Sequence, residues 1–168
     1  GMMMVAEGDA DGIVVGAVRP YSQAIQPALR IIGAEHRAFG ITTILTEEQT
    51  LFLADTTVNI DPDVETIAEI TLATAEHVRR LGIVPRIAML SFANFGAVRD
   101  EACRKMAAAA DLVRQRDPTL MVEGEMQVDA AWDMGLKGRF FPWIRLTQRA
   151  NTFIFPNLSS ANISYKLL

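Results

Sequence analysis

RIAMLSFANFGAVRDEACRKMAAAADLVRQRDPTLMVEGEM, residues 86–126, holds a strand, a helix and a second strand in one run. RIAMLSF is a continuous apolar strand and ANFGA a turn-rich exit from it. From about Asp100 to Arg116, Met106, Ala109, Leu112 and Val113 recur at helical spacing, and Asp117-Pro118 closes the helix. TLMVEGEM returns to a strand. Two strands joined through a helix favour a right-handed crossover and a parallel sheet. This stretch therefore sets the class as α/β.

The flanking sequence repeats the alternation. GIVVGAV (Gly12–Val18) is a buried-strand candidate. Ser22–Gly33 is helix-like, with Ile25, Leu29 and Ile32 on one face; Pro27 should kink it or push its start later, and Gly33 stops it. Ile41–Leu45 and Leu51–Ala54 read as a hairpin around the polar Glu47-Glu48-Gln49 turn. DPDVETIAEITLATAEHVRRLG is the clearest helix. Asp61 is its expected cap, Pro62 its first residue and Gly82 its end. NTFIFPNL is one more apolar strand, and the SSANISYKLL that follows it is a helix that Ser159 or Ser160 can cap.

Bulk properties limit the function. The chain has 168 residues, half of them hydrophobic and a fifth charged, which suits one globular domain with an ordinary core, in one lobe or two. A net charge of −4 argues against a nucleic-acid partner, since phosphate binding needs a basic face. No apolar run reaches the ~20 residues needed to span a bilayer, and no signal-peptide pattern opens the chain. The single cysteine, Cys103, leaves no internal disulfide and suits a cytoplasmic protein. Gly1 before Met2-Met3-Met4 reads as an expression remnant, and the last helix runs to Leu167-Leu168 without a stop signal. Residues 1–7 are accordingly expected to be that remnant and a partial leading segment, with 8–168 a fragment of a larger domain.

The chemistry-bearing residues gather where strands end. Alternation along TLMVEGEM would put Glu123 and Glu125 on one face, with Val122 and Met126 on the other. Asp129 follows, where it can cap the next helix. LFLADTTVN delivers Asp55, Thr56 and Asn59; IAMLSFANFG delivers Ser91 and Asn94; FIFPNLSSAN delivers Asn157 and Asn162. In an open parallel sheet ligands gather at the carboxyl ends of the strands, so these residues are expected on one rim. Hydroxyls, amides and helix N-termini suit an anionic or polar ligand, although the carboxylates do not. The plainer reading is that such acids are caps and solvated turns. No metal site is expected, because His36 and His77 lack ligand spacing. Cys103, beside Arg104 and Lys105, reads as an incidental thiol in a helix, and GDADG (Gly8–Gly12) lacks the later ligands of a calcium loop.

Several of these stretches in this order, GDADGIVVGAV…IQPALRIIG, ADTTVNIDPDVETIAEI, LGIVPRIAMLSFANFG, VEGEMQVDAA and FPNLSSANISYKLL, resemble the phosphate acetyl/butyryltransferase family. The resemblance runs from about Gly8 to Leu168. It implies a three-layer α/β sandwich like that of the isocitrate and isopropylmalate dehydrogenases, mostly parallel, with ligand between two lobes and pairing into homodimers or higher oligomers. SFANFG, GEM and Thr56 look closer to the carboxy-terminal, transferase-like domain of bacterial NADP-dependent malic enzymes than to stand-alone phosphate acetyltransferases. In that branch the domain is expected to sense acetyl-CoA and to hold the oligomer together, with the remainder of the parent chain as partner. A stand-alone transferase and a purely structural dimerisation module remain the alternatives. The family's Ser-Arg phosphate motif and catalytic aspartate are expected after Leu168, and two functional arginines before residue 1. The chain is then mainly the second lobe, with no catalytic residue of its own. Acetyl-CoA, CoA or phosphate would be ligands of the full domain, and NADP and a divalent metal would bind elsewhere in a malic enzyme. On this reading Asp129, Asn157 and Asn162 lie near the inter-lobe cleft.

Overall fold

A computed structural model describes residues 1–15, 21–33 and 37–168, with the side chains of residues 21 and 22 excepted. The chain divides into two units, Gly1–Ala38 and Phe39–Leu168. In the first, α1 (Met2–Ala6) and α2 (Tyr21–Ile31) are helical. Pro27 sits inside α2 rather than delaying it, and Gly33 follows with φ +74°. The expected strand at Gly12–Val18 does not form over residues 12–15, and its remainder lies outside the described residues, as does His36.

The second unit is one five-stranded sheet of order β1-β2-β5-β3-β4. The hairpin β1 (Ile41–Leu45) and β2 (Thr50–Ala54) is antiparallel. β2, β5 (Thr152–Ile154), β3 (Arg86–Leu90) and β4 (Met121–Met126) all run parallel. Helices α3 (Val64–Arg80) and α4 (Glu101–Arg116) cover one face. There Ile67, Met106 and Val113 meet Ile87, Met89, Val122 and Ile154. Helices α5 (Val128–Trp132), α6 (Met134–Phe140) and α7 (Leu158–Leu167), with the loop before β5, lie on the other. Ala130, Leu146 and Ala161 meet Leu53, Leu90, Met126 and Phe153 on that side. The result is a three-layer α/β architecture with a mostly parallel sheet. Among the described residues no helix is long and apolar enough to cross a membrane.

Side-chain reach corrects the expected caps. Asp63, not Asp61, caps α3, because its extended backbone brings Oδ1 2.8 Å from the Thr66 N–H. Asp61 instead accepts an ion pair from Lys105 at 2.6 Å. Asn157 caps α7 through the Ser160 N–H at 2.9 Å, leaving Ser159 and Ser160 inside the helix. Gln127 occupies the cap position of α5 without a side-chain bond, and Asp129 stands in the first turn. Asp133 caps α6, where the N–H groups of Leu136 and Gly135 hold its carboxyl below the usual range.

The alternation expected for β4 breaks at its end. Met89 pairs with Gly124 but Leu90 pairs with Met126, so one extra residue is taken up between them. Such an insertion transfers every later side chain to the opposite face. Val122 therefore packs under α4 while Met126 packs on the α5 side. At the opposite end of the sheet, fully buried Asn151 locks β5 to β3. Its Oδ1 accepts the Arg86 N–H at 2.8 Å, and its Nδ2 donates to the Val84 carbonyl at 2.9 Å.

Candidate functional site

Because β2, β5, β3 and β4 are parallel, the segments that leave their carboxyl ends lie along one edge of the sheet. Asp55 is the hub of that edge. Its buried carboxylate accepts the N–H groups of Gly40 (2.9 Å), Thr57 (2.9 Å), Val58 (3.1 Å) and Asn59 (2.7 Å). The side-chain amide of Asn59 adds a fifth bond at 2.6 Å. Thr56 beside it is also engaged: its hydroxyl accepts from Thr42 at 3.0 Å and donates to the Gly40 carbonyl at 3.3 Å. Asn162 of α7 donates to the Thr56 carbonyl at 3.4 Å, and the Leu158 N–H donates to Ile60. The structure thus brings Asp55, Thr56, Asn59 and Asn162 together, with Asn157 at the start of the same helix.

A second group forms between β3 and β4. Asn94 and Gln127 exchange hydrogen bonds, Nδ2 to Oε1 at 2.7 Å and Gln127 N–H to Oδ1 at 2.8 Å. Ser91 turns inward and donates to the sulfur of buried Cys103 at 3.3 Å. Asp129 bonds its neighbouring Ala130 N–H. It stands at the margin of a cavity of ≈ 470 Å³ between α5 and α7, otherwise walled by Leu51, Leu90, Trp132, Phe153 and Phe155, with Ser164 its other polar group.

Glu123 and Glu125 are neither solvated nor paired with each other. Glu125, 3% exposed, accepts the Gly96 N–H at 2.6 Å, and its carbonyl accepts the Phe95 N–H at 3.0 Å. Glu123, 8% exposed, accepts the Arg145 N–H at 2.8 Å and Arg114 at 3.1 Å. Burial excludes the solvated-turn reading for both; each carboxylate fastens a loop. Burial also occurs at Lys137, which no periodicity singled out. Its ammonium donates to the carbonyls of Gln148 (2.6 Å) and Ala131 (3.3 Å). Loss of water around it, and secondarily the charge of Arg86, lower its pKa to about 8.

That shift predicts a pH dependence. Between about pH 8 and 10.5 the folded chain has released this proton and the unfolded chain has not. Stability from this group therefore rises with pH across that window. Lys137→Met removes both carbonyl bonds and the burial cost of the charge together. Its deficit relative to wild type should grow from pH 7 to pH 9.5, reaching about 1–2 kcal/mol. Urea melts at the two pH values check this; a deficit that shrinks with pH would contradict it.

The polar side chains Asp55, Thr56 and Ser91 of this edge are bonded to the protein's own chain. His77 lies near the carboxyl end of α3, which starts at this edge and runs away from it, and its ring meets Phe52 at 6.4 Å. Among the described residues no group of three His, Cys, Asp or Glu side chains is placed to hold a metal. The hydroxyls of Ser91 and Thr56 are bonded to protein partners.

A three-layer α/β domain with a polar strand-end rim is the class this geometry defines. The whole chain, residues 1–168, matches the model of the phosphate acetyl/butaryl transferase family, and the chain belongs to that family. It is 41% identical to an NADP-dependent malic enzyme of Escherichia coli (strain K12), over 100% of this chain and 22% of the enzyme. It is 34% identical to a phosphate acetyltransferase of Bacillus subtilis (strain 168), over 99% of this chain and 53% of the enzyme. A crystal structure of a phosphotransacetylase from Streptococcus pyogenes superposes with a TM-score of 0.91 at 36% identity, covering 99% of this chain and 52% of that one. The chain thus spans about a fifth of the malic enzyme and about half of the transferases, and the domain is one that both kinds of enzyme share.

Proposed function

We propose that this chain is the transferase-like domain of an NADP-dependent malic enzyme, and that it binds acetyl-CoA to regulate the parent and holds its subunits together. The observation that carries this reading is 41% identity to a malic enzyme along the full chain. The committed rim hydroxyls and buried, loop-fastening acids add support, since they suit a binding scaffold better than an acid–base site. In this reading malate oxidation and decarboxylation to pyruvate, CO2 and NADPH occur in another part of the parent, where NADP and a divalent metal bind. Acetyl-CoA would act by binding two states of the assembly unequally. The parent is cytoplasmic and homo-oligomeric.

A second reading, part of a phosphate acetyltransferase, is favoured by the close superposition on a phosphotransacetylase. Malate-dependent NADP reduction by the intact parent, with and without acetyl-CoA, separates the two. A rate that responds to acetyl-CoA supports the malic enzyme reading. Acetyl phosphate formation from acetyl-CoA and phosphate, without malate activity, supports the transferase. The 168-residue chain alone is expected to form no acetyl phosphate above blank, and turnover by it would overturn both assignments of the catalytic groups to other segments.

A further inference from the structure

We propose that Phe92, Phe140 and Trp143, with Arg139 and Arg145, form a docking surface for an acidic, apolar segment of a partner protein. The residues 136–151, LKGRFFPWIRLTQRAN, carry four cations and no acid in a chain of net charge −4. Two of the four are committed: Lys137 to carbonyls and Arg149 to Glu48. Arg139 and Arg145 have no ion pair among the described residues, which they share with Arg86, Arg99 and Arg104 of the same unit; what sets them apart is the exposed rings beside them.

Between these cations stand exposed rings. Phe92 is 58%, Phe140 53% and Trp143 67% exposed. Trp143 and Phe140 rest on the half-buried rings of Phe95 and Phe141, with Phe141 to Trp143 at 5.8 Å, Phe95 to Trp143 at 6.4 Å, Phe140 to Phe141 at 6.4 Å and Phe95 to Phe141 at 5.1 Å; Phe92 stands in the same loop as Phe95. The loops that display Phe92 and Trp143 are the ones the buried acids fasten, Glu125 holding Phe95-Gly96 and Glu123 holding Arg145, while Phe140 ends α6. A preformed surface of Trp, Phe and Arg is the composition of interface hot spots, and preorganisation lowers the entropy cost of binding.

Charge selects the occupant. Guanidinium groups without an ion pair, that of Arg139 lying 5.1 Å over the Phe140 ring, match carboxylates beside apolar side chains. A second copy meeting the patch through a two-fold axis would bring the same arginines toward one another. A small anion would require a concave site, whereas rings this exposed stand out from the surface.

The test uses this chain and a fluorescein-labelled peptide of alternating Glu with Phe or Leu, beside a twin with Lys for Glu. Saturable anisotropy is expected for the acidic peptide alone, weakening as salt rises. R139E/R145E and W143A should each weaken binding by about tenfold or more. All three sites are exposed, and R139Q/R145Q repeats the charge test if reversal disturbs folding. Absent saturation, equal binding of the basic twin, or affinity unchanged in both variants would overturn the proposal. So would sedimentation showing a dimer that W143A dissociates, which would assign the patch to a second copy.

Discussion

Replacing Gly124 with alanine is expected to destabilise the protein by about 3–5 kcal/mol, the sum of backbone strain and overpacking. Gly124 lies in β4 with φ +137°, a conformation that side chains with a Cβ rarely adopt. A Cβ there would stand 2.5 Å from the Met89 carbonyl oxygen and 2.8 Å from the Met89 Cβ, both in the neighbouring strand. Neither obstacle is a flexible side-chain tip, so the strands themselves must part. β4 carries Glu123 and Glu125 on either side of this position, so the loops they fasten should loosen as well. Gly138→Ala is the matched control, since nothing lies within 4 Å of its Cβ position and it sits in α6. It should be neutral or stabilising by about 0.5–1 kcal/mol. Urea unfolding of both variants decides the matter; a Gly124→Ala loss below about 1 kcal/mol would mean that β3 and β4 adjust freely.

Asp55→Ala is expected to cost a similar amount, about 3–5 kcal/mol, for a different reason. The methyl group leaves five N–H donors without their acceptor, four of them on the backbone. Water can replace part of the loss, because Thr57, Val58 and Asn59 are half-buried rather than sealed. Asp55→Asn should lose less, since one oxygen remains to accept while the new amide faces other donors. The distinguishing readout is local. Amide exchange at Thr57, Val58 and Asn59 should quicken more than at Ile87 or Met89 in the sheet centre. Unchanged protection there would show that the loop is held by its ends and not by the carboxylate.

Much of the architecture was legible from residue pattern, for a simple reason. Helices α3 and α4 carry apolar residues at the helical period and strand β3 is a short continuous apolar run, and both signals are local properties of the chain. Gly82 and the Asp117-Pro118 pair marked helix ends through backbone preferences that need no tertiary context. Caps were legible only to within two or three residues. Asp61 and Asp63, or Asn157 and Ser159, have the same chemistry, and only the path of the incoming chain decides whose oxygen reaches the free N–H. The expected rim residues lie in the segments that follow the strands, with Asp129 and Asn162 inside the helices α5 and α7, and their engagement was not readable. Nothing in ADTTVN says that Asp55 spends both oxygens on its own loop, or that Thr56 is engaged by Thr42 and Gly40.

The sequence by itself determined the alternation of strands and helices from Ile41 onward, the parallel sheet implied by strand–helix–strand, and the motifs that resemble a transferase family, but not α1, α6 or the absence of a strand over residues 12–15. Only the tertiary structure decided what the acids and cations do. Whether Glu123 is solvated depends on Arg145, 22 residues away, and on Arg114 reaching across from α4. The face on which Met126 lies depends on the extra residue taken up opposite Met89 and Leu90. Lys137 has a lowered pKa because neighbouring segments close over it, and Trp143 stays exposed because its own neighbours fill the space beneath it. Periodicity follows from backbone geometry within a few residues. Burial and charge partnership follow from segments distant in sequence, whose meeting no local pattern encodes.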